Sequence, residues 1–249
     1  DVAGIWLAGI LTAAEGILFV LLLPVIATIL RASPWSSVWR WLRRHGRFGT
    51  SSAPSGLLSE LNTRVDVLVL GVFASDTVVG LYSFAAMLAE GVAQTLIVVR
   101  NNINPYLTPL LAAGKQGAQQ LHTFVAKWKK ISLQIALGAA VLGLVGFPVL
   151  VWVMQAPGFM DAYLYFAILL SGIVVASSFL SMAQTLMLAG HPAWHTAMSL
   201  VVVAVNVATN IVLASRFGAL GAAIATAGTM AVSWYILRGF VQRVAKVRL

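Results

Sequence analysis

The stretch LLSELNTRVDVLVLGVFASDTVVGLYSFAAMLAEGVAQTLIVV, residues 57–99, decides the architecture. It holds two apolar runs, 57–74 and 77–99, parted only by Ser75 and Asp76. Each is close to the ~20 residues that cross a ~30 Å hydrocarbon core as helix. A membrane β-barrel would instead show ~10-residue segments of alternating polarity, and none occur. Working outward, five further runs appear at 3–30, 131–154, 162–188, 195–214 and 218–237. Composition agrees. Of 249 residues, 60% are hydrophobic and 9% are charged, against about a quarter charged in a soluble domain. The mean hydropathy is +0.91. The expected class is an all-α polytopic membrane protein with about seven transmembrane helices.

The segments between the runs carry the charge. Residues 31–56 hold Arg31, Arg40, Arg43, Arg44, Arg47 and His45. Ser33-Pro34 is a plausible helix start. Trp35, Val38, Trp39 and Leu42 share one helical face, with most of the arginines opposite, as in an amphipathic helix lying on an anionic membrane surface. Its tail, Gly49 to Gly56, reads as a flexible linker by composition. After run three, Arg100-Asn-Asn-Ile-Asn-Pro105 opens a long polar stretch with Pro109, Lys115, Lys127, Lys129 and Lys130. Leu121, Phe124, Val125 and Trp128 there suggest a second surface helix. Segments after runs one, three, five and seven hold fourteen of the sixteen Lys and Arg residues, the last group being Arg238, Arg243, Lys246 and Arg248. Asp1, Asp76, Asp161 and Arg216 fall on the opposite side. The positive-inside bias therefore puts the N-terminus outside and the C-terminus in the cytoplasm. Trp6, Trp128, Trp152, Trp194 and Trp234 stand near run ends, as interfacial anchors do.

A net charge of +9 invites a nucleic-acid reading, but these basic segments flank spans and carry interfacial Trp, so no nucleic-acid partner is expected. With no cysteine, disulfides and thiolate metal sites are excluded. Pro24 inside run one suggests a kink. Small residues at four-residue spacing, in 218–228 and at Gly138, Ala139, Gly143 and Gly146, let helices approach closely. No ligand is assigned to them.

Five ionisable groups lie within runs: Glu15, Glu60, Arg64, Asp66 and Glu90. Each costs roughly 2.5–3.5 kcal/mol at the bilayer centre unless it meets a partner or a wet cavity. Glu60 and Arg64 stand at i, i+4, suited to an ion pair; the pair reads equally as structural or as a cavity-facing anion contact. Asp66 points elsewhere and needs another partner. Glu90 shares a face with Ser83, Met87 and Gln94, a polar stripe that suits an aqueous pathway or a proton-titrating site. Glu15 has Thr12 one turn before it. Ser199, Asn206 and Asn210 line one face of run six, and Ser177, Ser178, Ser181, Gln184 and Thr185 lie in run five. Such neutral groups more often join helices than bind sugar.

No catalytic, cofactor or metal motif is found. His191 and His195 have metal-like spacing but lack the Glu of a zincin and read as loop histidines. Neither a phosphate-binding Gly-rich loop nor a nucleophile elbow is present.

Leu61-Asn-Thr-Arg-Val-Asp-Val-Leu-Val-Leu-Gly71 and Val79-Gly-Leu-Tyr-Ser-Phe-Ala-Ala86 resemble the seventh and eighth helices of polysaccharide flippases. These belong to the multidrug/oligosaccharidyl-lipid/polysaccharide exporter superfamily, in the O-antigen (Wzx-like) branch. Asn102 to Pro109 resembles the Pro-containing stretch after their eighth helix. Ala204 to Asn210, with Phe217 to Thr226, is similar to their eleventh-to-twelfth helix junction. The resemblance implies that 1–30 is the last helix of a first lobe, 31–56 a basic cytoplasmic interlobe linker, and 57–249 a six-helix second lobe. The chain, which opens with Asp, is then expected to be the C-terminal half of a longer transporter whose first lobe lies elsewhere. The function implied is flipping of a polyprenyl-diphosphate-linked oligosaccharide across the inner membrane by alternating access, driven by protons or sodium. Arg64 is the matching diphosphate contact and Arg100 a weaker one. Glu90, Gln94, Asn206 and Asn210 are candidate cavity residues, and Glu90 and Glu15 candidate ion-coupling groups, with Glu90 either sensing protons or pairing with Arg64. Partners are the lipid-linked substrate, membrane lipids and the first lobe. Alternatives are a cation-coupled drug or metabolite antiporter of the same superfamily, a membrane-embedded polyprenyl-sugar transferase, or a degenerate scaffold. The transferase would need an acidic pair or a loop histidine, and Asp76 and Asp161 are isolated.

Overall fold

The structure is a computed structural model. It describes residues 2–32 and 35–244, with side chains except at 2–8, 10, 11, 29–32, 35–37 and 115. Asp1, Ser33, Pro34, Lys246 and Arg248, and the side chains of Trp6, Arg31, Trp35 and Lys115, lie outside the described residues.

Among the described residues every regular element is helical. They fall into two compact units, Asp1–Thr50 and Ser51–Leu249. The first holds α1 (Val2–Ala32) and the start of α2 (Trp35–Asn62). Helix α1 runs unbroken through Pro24. In the exposed part of α2, the Arg44 guanidinium lies 5.4 Å from the Trp41 ring, which stacks on His45.

The second unit holds the end of α2, then α3 (Val65–Phe73), α4 (Asp76–Ala112), α5 (Ala118–Val153), α6 (Tyr163–Val175), α7 (Ser177–Met182), α8 (Thr185–Leu188) and α9 (Pro192–Val244). Helices α4 and α5, the segment Pro157–Val175 and α9 are long and apolar enough to cross a membrane, and Thr12–Thr28 is a shorter apolar stretch. The chain is a multi-pass, all-α membrane protein. Outward side chains such as Leu142, 75% exposed, give α5 a lipid-facing surface.

The seven apolar runs are all helical, but their punctuation differs from expectation. Run two breaks at Thr63-Arg64, where Arg64 N–H donates to Leu61 O instead of continuing the i−4 ladder. Run five is divided into α6, α7 and α8. Runs six and seven remain two helices, as expected; they are the two arms of α9 and meet without a loop at Gly218, whose φ of 57° favours glycine. The expected flexible tail at 49–56 is helical, as part of α2. The expected second surface helix is instead the start of α5, continuous with run four. At 36 residues α5 measures about 54 Å, well beyond the hydrocarbon core.

That extra length has packing partners. Leu121 and Val125 of α5 are buried with Ile103 and Leu107 of α4, Leu186 of α8 and Leu237 of α9. Lys129 Nζ lies 4.4 Å from the Trp234 ring centroid. A second core contains Leu70, Tyr82, Leu96, Phe147 and Phe166, with Phe84 edge-on to Phe159 at 4.7 Å. Close approach depends on small residues in places. A Cβ on Gly172 would stand 2.6 Å from Ala227 Cα, so α6 and α9 touch there almost backbone to backbone. Gly143 fits against Phe166. Gly138 and Gly146 instead face open space, so packing does not account for them.

Candidate functional site

The break at Thr63-Arg64 shapes the site. Losing the helical register after Asn62 turns Arg64 away from Glu60, and the expected i, i+4 pair does not form. Arg64 Nη2 lies instead 3.8 Å from Glu90 Oε2 of α4, with the two side chains 55% and 38% exposed. This long ion pair sits on the wall of a cavity of ≈550 Å³, lined by α3, α4, α9, the end of α2 and parts of α6 to α8.

Among the expected site residues, Arg64, Glu90, Gln94, Arg100 and Asn206 all line this cavity. Ser83 and Ser199 do too, whereas Met87 is exposed outside it. Asn210 lies buried behind the wall, donating to Asn206 Oδ1 at 2.8 Å. Glu15 belongs to the first unit, on α1, and is exposed. Asn206 in turn donates to Asn62 Oδ1 at 3.1 Å, tying the first stretch of α9 to the end of α2. Two of the polar groups of run five join helices, while Thr185 Oγ1 donates within its own run to Met182 O at 2.7 Å. Ser181 donates to Ser132 at 2.8 Å, and Gln184 accepts from Asn104 at 2.8 Å while also lining the cavity.

Two of the cavity residues not assigned from sequence stand out. His195 is not a loop residue: it sits in the first turn of α9, buried, with Nδ1 lacking a hydrogen-bond partner among the described residues. Asp66 is the other. Its side chain is only 4% exposed, yet it lines the cavity. Tyr82 Oη donates to its Oδ2 at 2.6 Å, Thr226 Oγ1 donates to the same oxygen at 3.3 Å, and Val67 N–H donates to Oδ1 at 2.9 Å. No lysine or arginine among the described residues pairs with it. A charge within a span costs roughly 2.5–3.5 kcal/mol or more, and a hydrogen bond to a charged group returns ~1.5–3 kcal/mol. Three donors therefore work against the cost of burying this carboxylate. A lone acid in a Val/Leu run, with a Tyr sixteen residues on, was the only signal available in the sequence.

The profile of a family described as polysaccharide biosynthesis protein matches residues 2–157, more than half of the chain. The chain belongs to the polysaccharide biosynthesis protein family. No curated protein and no solved structure matches it. The matched span carries α1 to α5, and with them Arg64, Asp66, Glu90 and Arg100, so most of the charged cavity wall lies within the family's own sequence. As a membrane-embedded family member, the protein offers a cavity bordered by spanning helices, largely apolar in its lining but carrying charged groups on its wall. Among the described residues no cluster of His, Asp or Glu has metal-ligating geometry.

Proposed function

We propose that this family member flips a polyprenyl-diphosphate-linked oligosaccharide across the cell (inner) membrane, working as a transporter and not as an enzyme. One observation carries the reading: a cation, Arg64, faces a cavity between spanning helices and is held there, among the described residues, by a weak ion pair alone. Partly exposed pairs contribute about 0–1 kcal/mol. A diphosphate offers the guanidinium short, bidentate, charge-assisted bonds, so substrate displaces Glu90 at little cost. The cavity's ≈550 Å³ falls within the ~300–1,000 Å³ usual for small-molecule sites. That suits a diphosphate with a sugar or two, the isoprenoid tail lying in lipid. Gln94 and Ser199 supply neutral polar groups for sugar hydroxyls and Arg100 a second cation, while Asn206, its amide engaged with Asn62 and Asn210, holds the wall in place.

The second unit then acts as the second lobe of a two-lobed flippase. The first helix and the basic segment 31–56 lead into it, and alternating access comes from the lobe rocking against a partner lobe. Lys129 against Trp234 brings two basic segments together at one end of the unit, which supports a cytoplasmic C-terminus; the outside N-terminus rests on the positive-inside bias of the sequence. The test is translocation of a fluorescent polyprenyl-diphosphate sugar in proteoliposomes, using the protein as expressed from its own gene. Arg64→Ala is expected to lose at least tenfold in rate and Arg64→Lys to keep part of it. Unchanged flipping in Arg64→Ala would overturn the role given to Arg64.

A further inference from the structure

We propose that Asp66 is a proton-binding site, taking up a proton through the cavity and releasing it again during the transport cycle. The inference deepens the flippase reading and rests on its cavity being fed by water; Asp66, not Glu90 or Glu15, becomes the coupling group. Glu90 already has a cationic partner in Arg64 and is well exposed, so its charge is cheap to keep. Asp66 has neither advantage. It is nearly sealed, it has no cationic partner among the described residues, and its charge depends on three hydrogen-bond donors. Removing any one donor, as a shift of α9 against α3 and α4 would, tips the group to its neutral form.

The surrounding groups allow both forms. From α4 come Tyr82, which holds the charged form by a short bond, and Glu90, across the cavity wall. From α9 come Thr226 and, further along the cavity, His195. Arg64 stands two residues before Asp66. Protonation converts carboxylate and hydronium to carboxylic acid and water. The new O–H then donates to Thr226 Oγ1. Thr226 Oγ1 already accepts from Asn210 Nδ2 at 3.4 Å, so the hydrogen that it now gives to Asp66 turns instead to a main-chain carbonyl one turn back in its own helix. The proton is thus registered at a contact between α3, α4 and both stretches of α9.

The experiment is infrared difference spectroscopy of the purified full chain in lipid nanodiscs, between acid and neutral buffer, with and without sodium. A protonated-carboxyl C=O band is expected that Glu90→Gln retains and Asp66→Asn abolishes. Tyr82→Phe keeps the ring packing and guards against a misfolded Asp66→Asn. In it the acid form should persist to a roughly tenfold lower proton concentration, because a charge-assisted donor is gone. The proposal is overturned if the band survives Asp66→Asn, if Tyr82→Phe leaves the titration unmoved, or if sodium at constant pH removes the band, which would make the cluster a metal-cation site. None of these readouts needs transport. A titrating Asp66 in a protein that flips no lipid-linked sugar sinks the flippase reading alone, and flipping without a titrating Asp66 sinks only this one.

Discussion

Replacing Glu90 by Gln tests whether the Arg64–Glu90 pair competes with substrate. At ~4 Å two unit charges attract by about 1 kcal/mol in water and about 4 kcal/mol at an effective dielectric of 20. Both side chains are more than a third exposed, so screening and side-chain entropy reduce the net value to about 0–1 kcal/mol. Neutralising Glu90 therefore frees Arg64 by at most that amount. An anionic ligand should bind up to about fivefold more tightly. The assay is binding of farnesyl diphosphate, a short soluble polyprenyl diphosphate, to detergent-purified protein across a salt series. The gain should shrink as salt rises, since exposed charges are screened over about 10 Å at 0.1 M. In an Arg64→Ala background Glu90→Gln should have no effect. Weaker binding in Glu90→Gln, or an equal gain without Arg64, would refute the reasoning.

Two further predictions concern the scaffold. Gly172→Ala puts a methyl 2.6 Å from the Ala227 main chain, so α6 and α9 must part by about 1 Å to restore ordinary separation at 3.5–4.0 Å; a loss of about 1–3 kcal/mol is expected in denaturant unfolding followed by tryptophan fluorescence, and adding Ala227→Gly should restore only part, because the new methyl still presses on the backbone of residue 227. The buried Ser132–Ser181 bond at 2.8 Å should show a coupling of about 0.6 kcal/mol in a double-mutant cycle with alanine, as such bonds between spanning helices average.

The helical runs were legible because lipid demands length and apolarity, and both are properties of composition. The break at Thr63-Arg64 was not, because neither Gly nor Pro marks it. Face arithmetic through 57–74 assumed one continuous helix and so paired Arg64 with Glu60. The arithmetic held in part for α4, where Ser83, Glu90 and Gln94 share the cavity wall but Met87 does not. Composition likewise misjudged 49–56. Ser and Gly there are weak helix formers, but they continue a helix already begun at Trp35, and Ser55 closes a bond to Ser52 O at 2.7 Å. The hydrogen bonds of Asp66 lie 16 and 160 positions away along the chain, beyond the reach of any local pattern, and its place in the site became visible only in three dimensions.

The bend at Gly218 leaves no slack between the two arms of α9, residues 192–217 and 219–244. They fold back so tightly that Gly221 abuts the Leu213 carbonyl, and Thr209 meets Thr229 at 3.2 Å. Antiparallel helices joined by a long loop can slide independently. Arms joined at a single residue and pressed together this closely cannot slide past one another, so a displacement of one carries the other with it.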